Sequence, residues 1–555
     1  MRKAKPVNPM QYAGPNAKVP FLAPDVLTKV IPAPVEGWDA ISPLAEMDPK
    51  RAPILQNWVP RPGYVELRGG YAPFAGAGVV PIETLMVWRP DHGPQKMFAA
   101  GDSSIYDASQ GGLAPLAFGG FTSARWQYTN FMSGAGVNVL QAANGVDPVI
   151  QYDGTTWTKP AITGLPGAAA SVFAVKQRLW YVINNSSQVY FLPTGNITGA
   201  IDSFLDFGTI WAKGGYLVTM GEWTIDGGSG PQSYVAFMSN QGQIALYQGT
   251  DPTNINAWQL AGTFDVALPI GRRCFLRTGS DLAMITQQGV LPISQSLPFD
   301  PSSDRSVAIT ARIQYAMAQA VQQYQNNFGW EMITYPNKQL FILNVPVAEN
   351  NLQQQYVMNT LTGAWCNFTG WNANCFALYN NDLYFGGNHG EVYQAYIGGT
   401  DDSLPIIADM QCAFNWLDEP GKTKRMTMVQ PLLTLSGQLI PTLAVDTDFV
   451  TSTASAPVTQ TITGTVLWDA AMWDQARWPS GTINYNNFLS VEAMGHAMAI
   501  RMRVNVTTGG NTPSGFAIFD VSQFDNAAFG IGIDPNIPVV QVNAFNSIAE
   551  LGGAI

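Results

Sequence analysis

The residues of this chain that could do chemistry are three histidines, four cysteines and a few grouped carboxylates. His92 sits in an Asp-His-Gly-Pro turn, His389 in a hairpin turn, and His496 beside Gly495 in a strand-like stretch. Metal sites and zinc-hydrolase chemistry need histidines paired at short spacing, and no such pair or HExxH occurs. A G-x-S-x-G elbow, a Walker loop and a G-x-G-x-x-G that opens a helix are also missing. Cys274, Cys366, Cys375 and Cys412 form no CxxC, and four cysteines in 555 residues make no disulfide scaffold. They read as buried free thiols, with a Cys366–Cys375 contact across a hairpin as the alternative. Asp446 and Asp448, in VDTDF, supply two oxygen donors, an incomplete set for a hard cation. They read as strand-end polar residues.

Two aromatic motifs invite a carbohydrate reading. YDGTTW around Asp153 resembles the Asp box of sialidase propellers. That motif has Ser or Thr two positions before Asp and one residue between Asp and Gly. Here Gln151 holds the first position and Gly154 follows Asp153 directly, so the segment reads as a turn anchored by Trp157. VLWDAAMWDQARW repeats Trp468-Asp469 and Trp473-Asp474 and ends on Trp478. Spacing of five cannot put three tryptophans on one helix face, and the structural reading, aromatics anchoring a loop, outweighs sugar binding. No catalytic residue, cofactor site or metal site is assigned.

The elements that would carry these residues are legible from composition and pattern. Charged residues are only 12%, about half the usual ~25%, whereas 46% are hydrophobic. Glycine and proline together reach about 17% against a usual ~12%. Disordered and long-helical chains are excluded, leaving an all-β, turn-rich protein. The net charge of −11 and the lack of a Lys/Arg cluster argue against tight nucleic-acid binding. Prolines interrupt the first apolar run, so no secretory leader is expected. No run of 18 uncharged apolar residues occurs, so no membrane span is expected.

A hairpin recurs along the chain, starting at Lys96, Val137, Arg178, Tyr234, Leu282, Gln339 and Asp382. Each copy has an alternating apolar strand, a turn rich in Asn, Asp, Gln or Gly, and a second aromatic or β-branched strand. The spacing matches one four-stranded blade, which predicts a β-propeller of six or seven blades over 81–400. Residues 302–329 break the pattern and predict an inserted helix near 303–327. Ser303 or Asp304 would cap it, and Ile309, Ile313, Met317, Val321 and Tyr324 form one apolar stripe. It would pack on the propeller rim or make an inter-subunit contact. Residues 1–80 are proline-rich and read as an extended, wrapping arm. Residues 401–555 carry longer strands and read as a separate C-terminal β-sandwich-like domain.

One stretch carries a family pattern. Asn57-Trp58, Pro60-Arg61, Gly63, Glu66-Leu67-Arg68 and Gly70-Tyr71, preceded by Gly37-Trp38 and Ser42-Pro43-Leu44-Ala45, resemble the opening of a tail protein of short-tailed (podovirus) bacteriophages. By architecture that group is similar to the tail nozzle, or tail tubular protein B. The resemblance is specific in this motif and looser through the repeats and the Trp-Asp segment. It implies a structural virion protein with no catalytic residues. It further implies a homo-hexamer under the phage adaptor (head-to-tail connector) ring, with tail fibre or needle proteins attached. Double-stranded DNA would pass transiently without sequence-specific binding, and the part would assemble in the host cytoplasm. A weakly acidic wall suits such passage, because every phosphate contact would slow it. Two other classes stay open: a receptor-binding or fibre-docking propeller, and a propeller glycan hydrolase with a carboxylate pair.

Overall fold

The computed structural model describes residues 26–226, 231–297, 307–435, 439–451, 459–463, 483–509 and 540–554. The Trp468, Asp469, Trp473, Asp474 and Trp478 segment and the expected caps Ser303 and Asp304 lie outside them.

The chain is all-β and forms a β-propeller. Five antiparallel sheets follow one another as separate blades. Sheet I comprises Ile82–Trp88, Lys96–Gly101, Ser104–Asp107 and Leu116–Gly119. Sheet II comprises Gln127–Met132, Asn138–Ala143, Ile150–Tyr152 and Trp157–Thr158. Sheet III comprises Ala169–Val175, Arg178–Ile183, Gln188–Phe191 and Ser203–Asp206. Sheet IV comprises Leu217–Asp226, Pro231–Ser239, Gln243–Gly249 and Trp258–Asp265. Sheet V has three strands, Phe275–Thr278, Asp281–Thr286 and Gly289–Pro292. Two further antiparallel ladders continue the order. One runs Glu331–Tyr335, Leu340–Ala348, Leu352–Asn359, Trp365–Thr369. The other runs Cys375–Tyr379, Asp382–Gly386, Glu391–Ala395 and is completed by Tyr71–Gly76 from near the start of the chain.

Six of the seven recurring hairpins of the sequence are the middle strand pair of one of these sheets or ladders, and the one starting at Leu282 is the last pair of three-stranded sheet V. The reason is burial on both faces. Arg178–Ile183 is buried at every position, and Lys96–Gly101 at all but the first. Such strands need apolar residues on both sides, which makes them visible in a sequence. Neighbouring sheets share cores: Phe98 with Trp126 and Leu140, Trp180 with Phe237 and Trp258, Met238 with Met284 and Leu291. Leu85, Met97 and Ala99 of sheet I pack with Cys375, Ala377 and Tyr384, so the last ladder meets the first sheet.

The inserted helix is Gln314–Tyr324, here α1, preceded by a 3-10 turn at Ala311–Ile313. It begins later than the sequence pattern predicts. The Ile309 amide donates to Val290 O, and Val290 N donates to Thr310 Oγ1 at 3.2 Å. Residues 309–310 therefore cover the edge of three-stranded sheet V instead of entering the helix. The predicted stripe does face inward: Ile313, Met317 and Val321 are buried, with Ile309 and Tyr324 packed beside them.

Residues 26–67 and those after 400 pair with one another. Lys422–Leu435 and Val540–Ala554 form a long antiparallel pair. Val26–Pro32 pairs with Val540–Ala554, which also meets the Trp58–Arg61/Tyr64–Leu67 hairpin. Leu404–Gln411 lies between Ile54–Gln56 and Met498–Gly509. One apolar core joins these strands to the last two ladders, running from Phe545, Met502 and Val429 through Trp58 to Phe368, Trp371 and Phe385.

Candidate functional site

The motif residues converge on one buried joint. Arg68 is 1% exposed, in a region where an unpaired guanidinium would be very costly. All five of its N–H donors are used. Nη1 and Nη2 donate to Asp401 Oδ1 and Oδ2 at 2.8 and 2.6 Å. Nε donates to Asn57 Oδ1 at 2.9 Å, Nη1 to Gly69 O at 3.0 Å, and Nη2 to Thr369 O at 2.7 Å. The guanidinium also lies against Trp371, 5.4 Å from the ring centroid.

Asn57 is the second hub. It adopts φ 60, a left-handed conformation that Asn tolerates better than most residues. Its Nδ2 donates to Ile407 O at 2.7 Å and to Thr369 Oγ1 at 3.1 Å, while its Oδ1 accepts from Thr369 N at 2.9 Å. Trp58 is fully buried next in sequence. Pro60 O accepts from Asn359 Nδ2 at 2.8 Å. Arg61 bonds Glu66 Oε1 at 2.7 Å and Lys338 O at 2.8 Å. Gly63, at φ +90, turns the hairpin. Gly70 lies so close to the 398–400 backbone that a Cβ would fall 2.0 Å from Thr400 O. Tyr71 opens the strand that completes the last ladder and packs edge-on against Phe385 and Tyr393. The structure therefore brings seven of the eight motif residues to the junction of the early strands, the last two ladders and the 397–411 segment, with Gly63 at the exposed hairpin turn beside it. The arrangement holds surfaces together.

The other sequence candidates are separate. His92 is exposed beside Asp91, and His496 lies 3.9 Å from Asp448. All four cysteines are buried and free; Cys366 and Cys375 stand on different ladders. Burial pushes the thiols of Cys274, Cys375 and Cys412 up to about 12. Asp446 accepts from Gln411 Nε2 at 2.6 Å, whereas Asp448 accepts from the His496 and Ala497 amides. Among the described residues no three His, Cys, Asp or Glu side chains group as a metal site. No helix there is long and apolar enough to cross a membrane. Asp153 Oδ1 accepts from Thr155 and Thr156 amides at 2.8 Å each, and Trp157 is buried behind it.

A cavity of about 500 Å³ lies where first strands of several sheets meet. Arg273 ties its wall, with Nη1 3.2 Å from Glu331 Oε2 and Nη2 donating to Thr84 Oγ1 at 2.8 Å and Trp126 O at 3.2 Å. Burial pushes the Glu331 carboxyl above its ordinary value, against the opposing pull of Arg273. Sequence reasoning missed Asp401, Arg273 and Glu331. Their one signal is a charge beside apolar strand residues in a chain otherwise poor in charge.

No family model matches this chain, and no curated protein matches it either. Solved structures do resemble it in part. YCF48 bound to D1 peptide is 10% identical, with a TM-score of 0.33, covering 61% of this chain and 96% of that one. BBS1N in complex with ARL6DN is 13% identical, with a TM-score of 0.27, covering 41% and 73%. The Cps50 (Swd1) β-propeller domain of Myceliophteria thermophila is 10% identical, with a TM-score of 0.35, covering 57% of this chain and 100% of that domain.

Proposed function

We propose that this chain is a structural virion protein, the tail nozzle of a short-tailed bacteriophage, and not an enzyme. In this reading six copies form a tube beneath the adaptor ring, conduct and retain genomic DNA, and carry fibre or needle proteins. The supporting observation is where the family-like motif sits. Asn57, Arg68, Gly70 and Tyr71 bolt the early strands to the last ladders and to Asp401, so a load on one part reaches the other through buried bonds. A part that holds pressurised DNA needs such a joint.

The ring is read as seven blades, the five separate sheets plus the two ladders, with Tyr71–Gly76 closing the circle. Residues 1–80 are read as the arm, 81–400 as the propeller and 401–555 as the platform, the arm lending Tyr71–Gly76 to the propeller and Val26–Pro32 to the platform sheet. The platform sheet has apolar residues on its outer face, including Met494 at 70% and Val26 at 61% exposure. A monomer gains nothing from them, whereas contact between copies buries them. Six chains at −11 also repel the DNA they would surround.

The test is light scattering with negative-stain imaging of the chain, alone and mixed with its phage adaptor ring. Six chains of 60.0 kDa give a ring near 360 kDa. A chain that forms no six-copy ring even on the adaptor contradicts the reading.

A further inference from the structure

We propose that the turns at residues 349–353 and 386–391 hold a calcium ion between them, with side-chain oxygens of Asn350, Gln353, Asn388 and Glu391 as ligands. The inference stands independently of the tail reading. The two turns meet at one end of the contact between the last two ladders. Asn388 Nδ2 donates to Asn351 O at 2.8 Å. Gln353 Nε2 donates to Asn374 Oδ1 at 2.9 Å, and Asn374 Nδ2 to Gly387 O at 3.2 Å. The Gly387 amide donates to Glu391 O at 2.8 Å, which folds the second turn back on itself. Glu391 shares a strand face with Tyr393, whose ring stacks on Phe385, and Phe385 stacks on Trp371. Gln353 shares a face with Gln355, which donates to Trp371 O at 2.9 Å. Both faces therefore look into the same inter-ladder contact.

Four buried oxygens in this place accept no hydrogen bond from the described residues: Asn350 Oδ1, Gln353 Oε1, Asn388 Oδ1 and Glu391 Oε2. Gln353 is only 1% exposed, and an orphaned acceptor at such depth is costly. The amides cannot simply turn over, because each NH2 is tied to an acceptor. Asn388 is held by Asn351 O, Gln353 through Asn374 by Gly387 O, and Asn350 by Glu83 Oε1 at 3.4 Å. Their carbonyl oxygens are what remains. The charge asks for a cation as well. Glu83 and Glu349 share the single guanidinium of Arg125, and Glu391 has no ion pair among the described residues. Three of the four ligands are neutral amides, so no cluster of His, Cys, Asp and Glu marks the place among the described residues. Oxygen-only ligands on irregular turns suit calcium, whose shell is adaptable and can be completed by water. Magnesium demands a near-octahedral shell.

Calorimetric titration of the chelator-treated full chain with calcium chloride tests this. Magnesium chloride and potassium chloride at equal ionic strength are the controls. One saturable calcium site is expected, with a Kd of about 10⁻⁴–10⁻³ M for so few charged ligands. Glu391→Gln should weaken it at least about tenfold, and the remote Glu492→Gln should leave it unchanged. Asn388→Asp adds a negative ligand and should tighten it severalfold, an effect that a merely structural asparagine would not show. Thermal unfolding of the unsubstituted chain checks the same point without variants: calcium should raise the midpoint, and chelator should reverse the rise. No saturable calcium binding, tighter binding of magnesium or potassium, affinity unaltered in Glu391→Gln or Asn388→Asp, or a midpoint that calcium does not move would overturn the proposal.

Discussion

Arg68 and Asp401, 333 positions apart in sequence, meet through two parallel hydrogen bonds of 2.8 and 2.6 Å in the buried joint of the molecule. The pair closes the distance between the start of the propeller and its end. Removing one partner strands the other charge in a low-dielectric site. Asp401→Ala is expected to lose about 3–5 kcal/mol in urea unfolding. Arg68→Met/Asp401→Leu should lose less than the sum of its single substitutions, because no charge is then left unpaired.

Gly70 and Gly63 belong to the same motif but answer to different constraints. A Cβ at Gly70 meets Thr400 O at 2.0 Å, and backbone must move. At Gly63 nothing lies within 4 Å, and only the positive φ resists a side chain. Gly63→Ala is expected to cost about 1 kcal/mol. Gly70→Ala should cost clearly more in the same chemical-unfolding assay and loosen the closing strand, read as faster amide exchange over Tyr71–Gly76.

Asp39 gives a pH signature. Burial pushes its carboxyl up, but the Ser42 and Ile41 amides, the Ser42 hydroxyl and Arg51 together hold it below its ordinary value of 3.8. A depressed carboxylate stabilises the fold above the unfolded pKa, and that contribution is lost as pH falls through the folded one. Native chain and Asp39→Asn should therefore differ in stability near pH 7, with the difference shrinking as pH falls below 3.8. Glu331 has the opposite sign. Its folded pKa is raised by burial, so its contribution becomes less favourable as pH rises above 4.5.

The four thiols should be silent in the native state. All are buried, and three are pushed up to about 12. Ellman titration is expected to find no fast-reacting thiol in buffer and four in denaturant.

Much of the propeller was legible because its middle strands are buried on both faces. Arg178–Ile183 and Asp382–Gly386 announce themselves as apolar runs bounded by turns. The first strand of sheet II does not. Gln127–Met132 has no fully buried residue, because it borders the cavity, and its pattern carries no alternation. Some fourth strands are short and exposed, as is Ser203–Asp206. The helix starts later than spacing implies because Ile309 and Thr310 look helical by spacing but are taken by the edge of sheet V. The motif Asn57 to Tyr71 stood out as a pattern, yet its partners Thr369 and Asp401 lie in unremarkable turns and strands. Contact across 300 residues leaves no periodic trace in one sequence.

The most direct measurement is immunogold labelling of this chain on purified particles of the short-tailed phage that the proposed function calls for, with mass spectrometry of the same particles. Label at the tail, below the head and in six copies per particle, is the expected result. Particles that lack the chain, or that carry it only in distal fibres, would contradict a tail nozzle.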